Sequence, residues 1–92
     1  MIHHLKTWPV FFAAQSANAK QFEIRKDDRD YRIGNTFVSQ EWLPEEARYS
    51  GREIRYTITY ILRNAPDFGL MLGYCVLSLQ RIEETIFNPP TT

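Results

Sequence analysis

The residues that most constrain the fold of this 92-residue chain are those from 53 to 62, where apolar and polar side chains alternate. Five apolar residues recur at every second position: Ile54, Tyr56, Ile58, Tyr60 and Leu62. Successive side chains of a strand point to opposite faces, so this spacing predicts a β-strand with one buried face. We therefore expect a sheet in this domain, with Tyr56 and Tyr60 in its core.

A single helix is predicted near the N-terminus, after a short extended start. Thr7 can cap this helix, and Pro9 suits its first turn. Three aromatic residues have the spacing of one helical face, which we expect to pack on a sheet: Trp8, Phe11 and Phe12. Asn18 is suited to a left-handed helix end, so the chain is predicted to turn just before Lys20.

The other strands are marked by short alternating or apolar runs between turn residues. In the run from 21 to 25, Phe22 and Ile24 share one face, which we expect to be buried, and Glu23 and Arg25 share the other. Further strands are predicted at 36–42 and 74–79, with turns or loops at 27–30, 34–35, 44–46, 50–51 and 64–72. One helix and about five strands predict an α+β domain built on a small, largely antiparallel barrel.

Length and composition predict one domain, because 92 residues with 43% hydrophobic content can build one core without metal or disulfide. We assign residues 1–82 to this domain and expect residues 83–92 to form a mobile C-terminal tail. The net charge is zero, so any contact with nucleic acid must be local. Neither a signal peptide nor an apolar run of about 18 residues occurs, which predicts a cytoplasmic protein with no membrane partner.

Metal and cofactor sites are not expected from the sequence. His3 and His4 are the two histidines, and adjacent residues of a strand point to opposite faces, so a zinc site is not predicted. Cys75, the one cysteine, lies in an apolar run and is expected to be a small buried hydrophobe. Phosphate loops and dinucleotide-binding fingerprints are both absent, so we expect no cofactor.

Charged residues are concentrated between positions 20 and 32, which hold five of the 11 Lys and Arg residues and four of the 11 acids. Such concentration indicates a candidate site at Lys20, Glu23 and Arg25, although an ordinary strand and solvated turn has the same pattern. Charged Lys20 and Arg25 can hold a phosphate or a base carbonyl, with Glu23 accepting a hydrogen bond from an amine. Alternatively, a partly desolvated Lys20 can transfer protons beside Glu23, which would make both residues catalytic.

Aromatic residues that flank loops are candidates for stacking on bases. They are Tyr31, Trp42, Tyr49 and Tyr74. The complete set of predicted ligand-binding residues is Lys20, Glu23, Arg25, Arg29, Tyr31 and Tyr74.

Several short motifs follow one another in an order that is specific. They are His4-Leu5-Lys6-Thr7-Trp8-Pro9, Lys20-x-x-Glu23-Ile24-Arg25-Lys26-x-Asp28-Arg29-Asp30-Tyr31-x-x-Gly34, Tyr49-x-Gly51-Arg52, Thr59-Tyr60-Ile61-Leu62, and Gly69-Leu70 to Gly73-Tyr74-x-Val76-Leu77. Over about residues 3–80 the chain thereby resembles the ASCH branch of the PUA-like superfamily, in particular a group of small uncharacterised bacterial and phage proteins. The resemblance implies a PUA-like β-barrel with the helix beside a cleft that binds RNA or a modified nucleoside. It also implies that Lys20 and Arg25 border this cleft.

The match departs from the family pattern at Asn18, where glycine is usual, and at Asn35, where aspartate is usual. One ASCH relative is an acetylcytidine amidohydrolase that uses a lysine, a threonine and a later glutamate. Lys20 matches its lysine, whereas Glu23 occupies the position of its threonine.

Other ASCH proteins are linked to RNA cleavage. The resemblance thus implies a module that binds single-stranded RNA or a nucleotide through a Lys/Glu/Arg cleft. Its alternatives are a small hydrolase acting on a modified nucleoside amide or an RNA phosphodiester, with Glu53 or Asp67 as the later carboxylate, and a phage-encoded factor with a protein partner.

Overall fold

Five β-strands and one α-helix form the part of the chain, residues 1–82, that the computed structural model describes. In chain order they are β1 (Ile2–Thr7), α1 (Pro9–Ser16), β2 (Phe22–Lys26), β3 (Thr36–Leu43), β4 (Arg48–Arg63) and β5 (Tyr74–Arg81). A single 3-10 turn, Pro66–Phe68, lies in the loop between β4 and β5. The predicted α+β class and the count of strands are confirmed, whereas the tail predicted at 83–92 lies outside the described residues.

All five strands belong to one sheet, in the order β1-β3-β4-β5-β2, which curls into a half-barrel. The pairing of β1 with β3 is parallel, and the other three pairings are antiparallel. The sheet therefore has β1 and β2 as its outer strands. Arg25 links these strands by donating to the Lys6 carbonyl at 2.7 Å. Arg29, which follows β2, donates to the His4 carbonyl of β1 at 3.2 Å. We call this gap between β1 and β2 the seam.

The core lies inside the curl of the sheet, under the helix. Its buried members are Leu5, Phe12, Tyr31, Phe37, Ile54, Tyr56, Ile58, Cys75, Leu77 and Leu79. Removal of this apolar surface from water is the main stabilising contribution. Cys75 is fully buried, and burial raises the pKa of its thiol to about 11, as expected for a small hydrophobe. Tyr56 is also fully buried, which confirms its predicted place in the core.

The prediction that Tyr60 lies in the core is wrong, because the inward- and outward-facing positions of β4 exchange after Ile58. The pairing of β4 with β5 shifts register between Ile58 and Tyr60, which leaves Thr59 as an extra residue. Such a bulge exchanges the two faces of the strand beyond it. Consequently Tyr60 is 59% exposed and Leu62 is also exposed, while Ile61 packs against the core.

The turn predicted at 50–51 is also wrong, since both residues lie inside β4. Gly51 has a φ of 93° and lies opposite the register shift between Gln40 and Trp42 of β3. A left-handed residue at a bulge bends the strand without ending it, and glycine adopts this conformation at little cost. The turn residues in the sequence therefore mark a bulge.

The helix is shorter than predicted and buries a different face. Trp8 is its N-cap residue and Pro9 its first residue, while Thr7 ends β1, so the cap predicted for Thr7 is wrong. Only Phe12 and Gln15 are buried, and the predicted aromatic face leaves Trp8 and Phe11 about half exposed. The reason is that α1 packs on the sheet through one narrow stripe of side chains three residues apart.

Candidate functional site

The short strand β2 turns its charged side chain inward, contrary to prediction. Glu23 is only 4% exposed, whereas Phe22 and Ile24 are 44% and 58% exposed. The alternation of the strand is therefore correct and its facing is inverted. A carboxylate can be buried only where hydrogen bonds and opposite charges replace water. Three neighbouring side chains supply them.

Glu23 is the centre of a cluster of hydrogen bonds that joins the predicted site residues. Its Oε1 accepts from Lys20 Nζ at 2.5 Å and from Gln15 Nε2 at 2.8 Å. Its Oε2 accepts from Arg25 Nε at 2.9 Å. The structure thus brings Lys20, Glu23 and Arg25 together, as the sequence predicted. Gln15 was not predicted to take part.

The end of the helix places Lys20 in this cluster. Asn18 has a φ of 62°, which confirms the predicted left-handed helix end. The turn that follows returns the amide of Lys20 to the carbonyl of Ala14, at 3.1 Å. From this position Lys20 Nζ reaches both Glu23 and the carbonyl of Phe22, which it meets at 2.8 Å. The left-handed turn at Asn18 thus directs Lys20 toward Glu23.

A chain of buried polar groups extends from Glu23 across the sheet. Ser39 donates to Gln15 Oε1 at 2.6 Å, and the hydroxyl groups of Thr7 and Ser39 are also 2.6 Å apart. Because Ser39 has one hydroxyl proton and gives it to Gln15, Thr7 must donate to Ser39. The orientation of every group in the chain is thus set by the carboxylate of Glu23. Sequence reasoning missed Gln15, Ser39 and Thr7.

A cavity of about 450 Å³ opens at the seam beside this cluster. We call it the seam pocket, and its lining is Lys6, Thr7, Trp8, Phe11, Lys20, Phe22, Glu23, Ile24 and Arg25. The lining holds three cationic side chains and one carboxylate, a formal charge of +2 in a chain whose net charge is zero. The half-exposed side chains of Trp8, Phe11 and Phe22 form apolar walls. An anionic group on an apolar or aromatic body suits such a lining.

Several N–H groups of this pocket have no acceptor within residues 1–82. Lys20 carries three protons on its amino group and uses two of them, for Glu23 and the carbonyl of Phe22. Arg25 has five N–H bonds and uses two, for Glu23 and the carbonyl of Lys6. One donor on Lys20 and three on Arg25 remain for a ligand. The charge of Glu23 holds both cations in place without exhausting their hydrogen bonds.

The other predicted ligand-binding residues lie outside the lining of the seam pocket. Arg29 is exposed and spans the seam further along β1. Tyr74 is half-buried at the start of β5, where it pairs with Lys26. Tyr31 is 2% exposed, its ring packs 4.8 Å from that of His3, and burial raises its pKa to about 12. A ring buried in this way has no free face, so Tyr31 is not available for the predicted stacking on bases.

The histidines and the two later carboxylates lie outside the lining of the seam pocket. His3 is buried and bonded to Asn35 at 2.9 Å, while His4 is exposed, so these neighbours face opposite sides as predicted. Glu53 pairs with Arg55 at 3.2 Å and Asp67 lies in the 3-10 turn; both are outside the lining of the seam pocket. Neither carboxylate is placed to act with Lys20.

Trp42 and Tyr49 form an aromatic pair beside the end of β1. Their rings meet edge to face, with centroids 4.9 Å apart, and Lys6 Nζ lies 3.9 Å from the centroid of Trp42. This cation–π contact fixes Lys6 at the edge of the seam pocket.

A larger cavity of about 660 Å³ lies beside the loop that follows β2. Its charged lining residues are Asp27, Asp30, Arg32 and Arg63. They neutralise one another, since Arg63 pairs with Asp27 at 2.7 Å and Arg32 pairs with Asp30 at 3.4 Å. Without an excess of charge, this cavity is the weaker candidate.

Within the described residues, no three His, Cys, Asp or Glu side chains are grouped so that they could hold a metal ion. The only α-helix of that part, α1, is too short to cross a membrane.

Comparison with known proteins places the chain in a family. Residues 2–79 match the model of a family described as "Domain of unknown function (DUF3850)". The chain belongs to this family. The DUF3850 domain is also 33% identical over 58 residues to an "Uncharacterized 12.9 kDa protein in GpA 3'region" of Escherichia phage P2, a match that covers 63% of the chain.

That match covers 51% of the phage protein, so the DUF3850 domain spans about half the length of this relative. The prediction of an uncharacterised group with phage members is confirmed, while the PUA-like fold and the ASCH branch stay predictions.

Proposed function

We propose that the protein is a binding module for a nucleotide or a short single-stranded RNA, which it holds in the seam pocket. The observation that carries this proposal is the charge of the pocket lining. Three cations and the buried carboxylate sum to +2 in a largely apolar cavity, while the net charge of the chain is zero. Phosphate and base oxygens are acceptors for Lys and Arg, and base rings pack on aromatic side chains. Nucleotides combine all these features in one ligand.

In this proposal Lys20 and Arg25 donate their remaining N–H groups to phosphate or base oxygens. Glu23 does not touch the ligand, and it fixes both cations through the bonds at 2.5 and 2.9 Å. Trp8 and Phe11 cover the base from the side of the helix, and Phe22 covers it from β2. Because these rings are about half exposed without a ligand, their burial on binding contributes to the affinity.

Binding is better supported than hydrolysis. A general base must reach the proton that it abstracts. Both oxygens of Glu23 already accept hydrogen bonds, and its side chain is almost fully buried. Glu23 therefore suits a structural role, in which it holds the side chains of Lys20 and Arg25 in place.

Titration of the ¹⁵N-labelled protein with nucleosides, including acetylcytidine, nucleoside monophosphates and short single-stranded RNAs tests the proposal. We expect saturable amide shifts in the segments 6–11 and 20–25 with at least one ligand. Lys20→Ala removes one charged hydrogen bond, and we expect affinity to fall about tenfold or more.

Lys26→Ala is the matched control, because Lys26 lies on the same strand, is exposed and forms no ion pair within the described residues. It removes the same charge and should change affinity by less than about threefold. The proposal is refuted if no ligand shifts these amides, or if the two variants weaken binding equally.

A further inference from the structure

We infer that the seam pocket recognises a single phosphorylated nucleotide, either free or at the end of an RNA, and does not bind the interior of a polynucleotide. This inference rests on the proposed function and narrows its ligand class. It is carried by the charge of the pocket, the charge of the surrounding surface and the size of the cavity.

The charge of the pocket lining matches a terminal phosphate. Lys6, Lys20 and Arg25 outnumber the single carboxylate of Glu23 by two charges. A phosphate monoester carries about −1.5 to −2 at pH 7, because its second pKa is near 6. A phosphodiester inside a polynucleotide carries one negative charge, so it would leave one cation of the pocket without compensation. The monoester neutralises the lining.

The surface outside the pocket offers no track of free cations for further phosphates. Five of the other arginines in residues 1–82 are paired with acids: Arg32 with Asp30, Arg48 with Glu46, Arg52 with Glu41, Arg55 with Glu53 and Arg63 with Asp27. The three remaining cations are Lys26, Arg29 and Arg81, of which the two arginines donate to backbone carbonyls. Polynucleotide grooves need a row of unpaired cations along the backbone path. In this chain an excess of two positive charges is instead concentrated in the seam pocket.

The size of the cavity agrees with one nucleotide. Its volume of about 450 Å³ lies toward the lower end of the range for small-molecule sites, about 300–1,000 Å³. Apolar side chains face it from two elements, Trp8 and Phe11 from the start of the helix and Phe22 and Ile24 from β2. This arrangement provides walls for one base with the cations at the seam.

Calorimetric titration with matched ligands tests the inference. The ligands are nucleosides, their 5′- and 3′-monophosphates, and single-stranded RNAs of about three and about ten nucleotides, with and without a terminal phosphate. We expect loss of the terminal phosphate to weaken binding about tenfold or more. Affinity should change by less than about threefold between the mononucleotide and the longest phosphorylated RNA, and the salt dependence should be the same for both.

Lys6→Met lowers the formal charge of the pocket lining from +2 to +1 and leaves Lys20 and Arg25 in place. It should weaken monophosphate binding several-fold and leave nucleoside binding unchanged, whereas Lys26→Met, the control, should change neither. Tighter and more salt-dependent binding of longer RNAs, with no effect of the terminal phosphate, would overturn this inference and leave the proposed function standing. Absence of binding by every ligand would overturn both.

Discussion

Replacement of Glu23 by glutamine tests whether the buried carboxylate holds the two cations of the seam pocket. The substitution preserves the size of the side chain, removes its charge and turns one acceptor into a donor. The new Nε2 would face either Arg25 Nε or the amino group of Lys20, so in both orientations two donors meet. Glu23→Gln should therefore weaken folding without creating a cavity.

The expected loss follows from burial. Removal of one partner from a fully buried ion pair costs about 3–5 kcal/mol, whereas an exposed pair contributes about 0–1 kcal/mol. Glu23 is almost fully buried, but the side chains of Lys20 and Arg25 keep 16% and 23% exposure, so water can solvate part of their charge. We expect the free energy of unfolding to fall by about 2–3 kcal/mol, a large part of the 5–15 kcal/mol typical of domains.

Urea denaturation followed by circular dichroism at pH 7 measures this loss. Glu53→Gln is the matched control, since Glu53 is a strand glutamate with one arginine partner at 3.2 Å and greater exposure. The control should lose less than about 1 kcal/mol. Equal losses in the two variants, at unchanged denaturant slope, would refute the assigned role of Glu23.

Three further predictions concern stability and are tested by urea denaturation, at pH 7 for the first two and between pH 9 and 10 for the third. Ser39→Ala leaves Gln15 Oε1 without its buried donor and should cost about 1–3 kcal/mol; a loss below about 0.5 kcal/mol contradicts the polar chain. Tyr56→Phe removes a buried hydroxyl that has no partner in residues 1–82, so stability should stay equal or rise, and a loss above about 1 kcal/mol argues against this. Burial raises the pKa of the Cys75 thiol from 9.0 to about 11. The stability that the folded protein gains from keeping this thiol protonated is therefore complete below pH 9 and is lost as the pH rises through 11. This loss amounts to about 3 kcal/mol, and Cys75→Ala should therefore show a smaller decline in stability between pH 9 and 10 than the parent protein.

The sequence predicted the strands and the helix better than it predicted which face of each is buried. The alternation from Ile54 to Ile58 required a strand, and Asn18 required a turn, because both signals act over a few residues. The bulge at Thr59 depends on how β5 pairs with β4, which no local pattern records. It moved Tyr60 from the predicted core to the surface.

The candidate site shows the same limit. Alternation placed Glu23 and Arg25 on one face of β2, but parity alone does not decide which face lies inside. That choice depends on Gln15 of the helix, which donates to the carboxylate, and on Ser39 of β3, which donates to Gln15. Both contacts exist only in the folded chain. One sequence signal was available: Gln15 follows Phe12 by three residues and so shares its buried face of the helix.

The position of the seam pocket couples ligand binding to the folding of the entire sheet. Its walls come from β1 and β2, which are close in sequence yet lie at opposite ends of the strand order. They meet only when the three strands between them have paired and curled, so the pocket cannot form in a partly folded chain. A ligand in the pocket would therefore contact both β1 and β2, stabilise the folded state and raise the melting temperature of the whole domain. Thermal-shift screening can thus detect ligands of any chemical class that bind at the seam.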